Sequence, residues 1–196
     1  MTTTKKLVII LFFLMVCAQL FVPAQMILHQ ENILSQGKIM KFKTQPVDPS
    51  DPFRGKYINL NFEADEVVIT NKKNYREGET VFAILDNDSL GYAKINAISK
   101  IKPSKSIIFL KTKIDHFDYN DSTIVNLSLP FAKFYMNEHK AQTAENLYSQ
   151  SAREIKNTTC AVVSILDGDA TITDVLIDGI PIKKAVDNAA KNKQKK

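Results

Sequence analysis

Apolar residues follow one another from Leu7 to Leu28 in "LVIILFFLMVCAQLFVPAQMIL", with Gln19, Pro23 and Gln25 as the only interruptions. A helix rising about 1.5 Å per residue needs about twenty such positions to cross a hydrocarbon layer. The run predicts a transmembrane helix over residues 7–28, preceded by residues 1–6 and followed by a polar connector, "HQENILSQG", over 29–37. Lys5 and Lys6 stand just before the span, which favours a cytoplasmic N-terminus and an extracytoplasmic domain carried across the membrane, periplasmic if the cell is Gram-negative. Val22 and Ala24 ahead of Gln25 also fit the small-residue pattern of a cleaved signal peptide, and that alternative exports the same domain.

From residue 38 onward the pattern changes from continuous to alternating. "KIMKFKT", "YINLNFE", "EVVIT", "TVFAILD", "LGYAKINAI", "SIIFLKTKI", "TIVNLSL", "TCAVVSIL" and "ATITDVLI" are short, rich in Ile, Val, Thr or Phe, and bounded by turn residues. "TVFAILD" is apolar on both faces, as a central strand is, whereas "TIVNLSL" sets Val125, Leu127 and Leu129 against Asn126 and Ser128. "DNDS" at 86–89 and "DGD" at 167–169 suit hairpin turns, because Asn, Asp and Gly tolerate positive φ. The expected fold is mainly β over residues 38–182, a small antiparallel sandwich or a partly open barrel.

One segment breaks the alternation. In "EHKAQTAENLYSQSAREIK", residues 138–156, Ala141, Ala144, Leu147, Tyr148, Ala152 and Ile155 recur at three- and four-residue spacing, which predicts an amphipathic helix packed on the sheet. Asn137 is placed to cap it. The last fourteen residues, 183–196, hold six lysines and one aspartate and predict a basic disordered tail.

That tail explains the charge. The formal net charge is +5, all of it contributed by residues 183–196, so nothing between the two ends suggests a basic groove for nucleic acid. Cys17 lies in the first apolar run, which leaves Cys160 alone in the domain with no disulfide partner, in a strand-like setting that predicts a buried, inert thiol.

A search for chemistry returns few candidates. The chain has no Gly-rich phosphate loop, no HExxH, no CxxC and no serine in a strained glycine turn, and no cofactor is expected. His29, His116 and His139 are too dispersed to supply a close zinc pair. Asp115, Asp118 and Asp121 lack the glycine and terminal glutamate of an EF-hand, so no metal site is expected there either. Lys94 in "GYAKINAI" is the one candidate base, since a buried lysine of lowered pKa can activate a serine; its plainer reading is an outward lysine on an edge strand.

"PVDPSDPFRGKYINLNF", residues 46–62, resembles the signature of the bacterial GDYxxLxY family, PVDPxDxxRGDYxxLxY. Pro46, Val47, Asp48, Pro49, Asp51, Arg54, Gly55, Tyr57 and Leu60 match; Lys56 replaces the family's aspartate and Phe62 its last tyrosine. "KFYMNEHKAQTAE" is similar to a later family segment of a basic residue, two aromatics and two glutamates seven apart, with Glu138 and Glu145 in the acidic places. The resemblance implies a single-pass, membrane-anchored protein of unestablished activity, associated with polytopic membrane proteins.

Read physically, the first stretch is a turn. Asp48 and Asp51 can accept backbone amides while Pro49 and Pro52 forbid a helix; Arg54 can clasp either acid, and Gly55 permits a tight entry into a strand. Alternation then sets Ile58, Leu60 and Phe62 on one face and Tyr57, Asn59 and Asn61 on the other. The candidate partner-binding residues are therefore Asp48, Asp51, Arg54, Gly55, Tyr57, Glu138 and Glu145. The expected function is a non-enzymatic accessory subunit that binds the bilayer through residues 7–28 and a polytopic membrane protein or envelope component through its domain. The alternative is an envelope hydrolase using Asp48 and Asp51, or Lys94.

Overall fold

A computed structural model describes residues 3–45, 57–70, 72–119, 121, 123–153 and 158–194. Helix α1 (Thr3–Gln36) is followed by β1 (Lys38–Gln45), β2 (Tyr57–Asn59), β3 (Asn61–Phe62) and β4 (Glu66–Val68). Next come β5 (Thr80–Asn87), β6 (Ala93–Ser99), β7 (Phe109–Phe117), β8 (Ile124–Ser128) and β9 (Lys133–Tyr135). Helix α2 (Glu138–Arg153), β10 (Thr159–Leu166), β11 (Asp169–Ile177), β12 (Ile180–Pro181) and α3 (Ile182–Gln194) complete the chain.

The domain is mainly β. One five-stranded sheet runs β12-β11-β10-β1-β3; a second runs β4-β8-β7-β5-β6, and its edges β4 and β6 approach each other so that it nearly closes into a barrel. "TVFAILD" is the interior strand β5 that its pattern predicts, flanked by β7 and β6. The antiparallel hairpin β10-β11 turns on Asp167 and Gly168, both at positive φ, in the two-residue geometry that matches strand twist. Lys111 donates its amide to the Gly168 carbonyl at 2.8 Å, tying that hairpin to β7 and hence one sheet to the other.

The core runs through both sheets. Phe42 of β1 is fully buried and packs edge-on against Phe62 and Phe131, at ring-centroid distances of 5.9 and 5.0 Å, and Phe62 meets Phe131 at 5.3 Å. Such tilted aromatic contacts add to the area term of burial. Helix α2 lays Ala141, Ala144 and Tyr148 into this core, the stripe its spacing predicts; Ala152 and Ile155 lie outside the described side chains.

Three expectations are corrected. The connector over 29–37 is not a separate segment: α1 continues to Gln36, because Ile33 is 2% exposed and its burial against β10 holds the last turns helical. The tail over 183–196 is helical as far as Gln194, because Ile182 and Val186, four apart, are buried; the density of lysines conceals that stripe. "YINLNFE" is two strands, since β2 pairs with β9, Leu60 donates its amide to the Ala132 carbonyl at 2.8 Å, and β3 pairs with β1. Ile58, Leu60 and Phe62 are nonetheless all buried, as the alternation requires.

Candidate functional site

The two stretches that resemble the family signature pair with each other. Strands β2 and β9 form an antiparallel ribbon in which Tyr57 faces Tyr135, Ile58 faces Phe134 and Asn59 faces Lys133. Ile58 and Phe134 point into the core, so Tyr57, Lys133 and Tyr135 beside them are turned outward. Tyr57 is half-buried, and Tyr135 is 67% exposed. Their rings lie 5.5 Å apart at 58°, and the Lys133 ammonium sits 4.7 Å from the Tyr57 ring centroid. The result is a cationic, doubly aromatic patch whose members hold one another in place.

A groove of about 510 Å³ runs beside this patch, lined by Gln30 of α1, by Pro130, Phe131, Lys133 and Tyr135, and by Thr171 of β11. Gln30, which bonds the Thr171 hydroxyl, lies two residues beyond Leu28, so the groove begins where the apolar part of α1 ends. Helix α2 packs against β2 from the other side, and Tyr148 donates its hydroxyl to the Gln45 carbonyl at 3.3 Å. Burial pushes the Tyr148 phenol up to about 12.

Of the candidate residues, Asp48, Asp51, Arg54 and Gly55 lie outside the described residues. Tyr57 stands on the outward face that its alternation predicts. Glu138 opens α2, with its side chain undescribed, and Glu145 is half-buried on the same helix. Tyr135 and Lys133 were not singled out from the sequence; the basic-aromatic stretch that contains them was the available signal, and what was missing was the strand pairing that sets them on Tyr57.

Another cleft, of about 530 Å³, opens between β4 and β6 and is lined by Lys43, Glu63, Glu66, Tyr92 and Lys94 among others. Lys43 and Glu63 pair at 2.9 Å. Lys94 is exposed on the edge strand β6, and among the described residues no serine, histidine or cysteine lines the cleft. At the β4 turn, burial pushes the Asp65 carboxyl up, opposed by its own backbone amide.

Other sequence candidates resolve into local structure. Asp118 accepts the Asp121 amide at 2.9 Å, and Asp121 accepts both the amide and hydroxyl of Thr123, which hold its carboxyl down. His29 and His116 each lie 3.0 Å from a carboxylate, Asp169 and Asp115 respectively. Among the described residues no three His, Cys, Asp or Glu side chains converge on a point that suits a metal ion. Cys160 is buried, and that burial pushes its thiol up.

The fold and ribbon together define a class: a barrel-like β domain built directly on the end of one long apolar helix. The chain belongs to the GDYXXLXY protein family, whose model matches residues 19–175, from the apolar helix through both signature stretches into β11. No curated protein and no solved structure matches it.

Proposed function

We propose that this protein is a membrane-anchored accessory subunit, with its β domain held beyond the far face of the membrane and no chemistry of its own. Helix α1 is long and apolar enough to span, and Leu7 through Leu28 present large apolar side chains on every side, as a lipid-facing helix does. The β2-β9 ribbon then serves as the contact surface for a polytopic membrane protein or an envelope component.

The observation that carries this reading is the meeting of both signature stretches in one exposed Lys133-Tyr57-Tyr135 patch, beside a groove that starts at Gln30. Tyrosine is enriched where proteins contact one another, because it buries a large apolar ring and keeps a polar end. A neighbour in the same bilayer meets the groove without leaving the membrane surface.

The rival reading, an envelope hydrolase, draws on Lys94 in the roomy β4-β6 cleft or on an acid pair of Asp48 and Asp51. The exposure of Lys94 weighs against it, since a lysine becomes a base near neutral pH through desolvation.

Recovery of the full chain and its companions from membranes in mild detergent tests the proposal. A defined companion is expected with the wild type, and it should be lost from a Tyr57→Ala, Tyr135→Ala variant that still folds. Identical companions for both would remove the ribbon from the contact surface, and loss of a hydrolytic activity in Lys94→Gln would favour the rival.

A further inference from the structure

A further cavity, of about 400 Å³, lies between α1 and the loop that joins β6 to β7. His29, Asn32 and Gln36 line it from the helix, Lys38 from the start of β1, and Lys105 and Ile107 from the loop. We propose that this cavity holds the phosphate of an anionic phospholipid headgroup. The inference rests on α1 being a membrane anchor and is independent of the ribbon as a contact surface.

Height along the helix is the first argument. Leu28 is the last residue of the apolar run, and the three helix residues lining the cavity follow it at once. With a rise of about 1.5 Å per residue, Gln36 stands about 10 Å above His29. A bilayer about 40–45 Å thick with a core of about 30 Å has headgroup layers about 5–8 Å deep. The cavity thus spans the level at which lipid phosphates lie.

Charge is the second. Two carboxylates also line the cavity, and both are engaged: Asp169 lies 3.0 Å from His29, and Asp167 lies 2.8 Å from Lys102. Lys38 and Lys105 have no carboxylate within ion-pair distance among the described residues. The two ammonium groups, of which Lys105 also attracts the Asp167 carboxylate from beyond ion-pair distance, and the side-chain amides of Asn32 and Gln36 are a donor set for a phosphate monoanion.

The loop itself supplies the third. Ile101 is 81% exposed and Ile107 is 42% exposed, on a segment that also carries Lys100, Lys102 and Lys105. Lys100 pairs with Glu79 and Lys102 with Asp167, which leaves Lys105; exposed isoleucines beside it suit a segment resting on a lipid surface, where the apolar side chains enter the headgroup boundary and the Lys105 ammonium meets a phosphate.

The full chain in mild detergent, titrated with phosphatidylglycerol or phosphatidylcholine and read by native mass spectrometry, tests the proposal. The wild type should retain phosphatidylglycerol in preference to phosphatidylcholine. A Lys38→Gln, Lys105→Gln variant should lose the preference by about fivefold per lysine, and Lys113→Gln, on the distant half of β7, should keep it. The single variant Lys105→Gln gives the same reading if the double variant does not fold.

Equal retention of the two lipids, or an unchanged preference in the lysine variants, overturns the headgroup site. Displacement of phosphatidylglycerol by millimolar inorganic phosphate also overturns it, in favour of a free-anion site. Carbonate washing of membranes separates the two readings: a chain that stays in the pellet without lipid preference fails only this inference, whereas a chain that is released fails the anchor reading and this inference together.

Discussion

The Ser164 hydroxyl, fully buried in β10, donates a 2.6 Å hydrogen bond to the carbonyl of Ile33 in the last turn of α1. The same carbonyl accepts the Gly37 amide at 3.0 Å, so the end of the helix and the centre of a strand share one acceptor. Gly37 is required there by proximity: a Cβ at that position would collide with both the Ser164 hydroxyl and the Ile33 carbonyl. Gly37→Ala is therefore expected to cost about 1–3 kcal/mol by overpacking. Thermal unfolding of the full chain in detergent measures it, and limited proteolysis should find residues 36–38 newly open; an unchanged melting temperature with unchanged protection would show that the junction yields freely.

The buried phenol of Tyr148 predicts an alkaline limit to stability. Its folded pKa of about 12 stands above the ordinary value of 10.0, so the contribution is fully present below pH 10 and is lost as pH rises through 12. Two units correspond to about 2–3 kcal/mol. Tyr148→Phe should flatten the pH dependence of urea stability between 10 and 12, at the loss of one hydrogen bond below that range; equal slopes for the two proteins would contradict the assignment.

Asp65 works in the same direction at lower pH. Burial raises its folded pKa above the ordinary carboxyl value, so the charged form costs stability at neutral pH, and that cost fades as pH falls through the folded pKa. Asp65→Asn is expected to raise the melting temperature at pH 7, with the gain shrinking toward pH 3. A gain that is independent of pH would point to packing instead of charge.

Phe42 joins β1 to the signature strand β3 and to Phe131. Phe42→Ala should cost about 3–5 kcal/mol in chemical denaturation. The same change should broaden the aromatic signals of Phe62 and Phe131 in NMR spectra, and sharp, unshifted signals would show that the trio is not one packing unit.

The parts of this fold that were legible in the sequence are those where period and composition agree. The alternation at Ile58, Leu60 and Phe62 survives even though the strand changes partners at Leu60, because side-chain facing depends on the backbone pleat and not on which neighbour supplies the hydrogen bonds. Strand β9 and strand β12 escaped notice because three and two residues carry no measurable period. Helix α3 was hidden for another reason: Ile182 and Val186 are enough to bury one face, and six lysines dominate the composition around them. Tyr57 was legible as an outward residue, but its pairing with Tyr135, 78 positions later, is a long-range contact that no local pattern encodes.

Because α1 ends at Gln36 and the Ile33 carbonyl in its last turn accepts hydrogen bonds from both Ser164 and Gly37, the helix end is fastened straight onto β10 with no linker between them. If α1 spans a bilayer as proposed above, the domain and its Tyr57-Tyr135 patch turn and tilt with the helix as one piece. On that reading the height of the patch above the lipid is set by the end of α1, and a companion in the same membrane would meet it at that level.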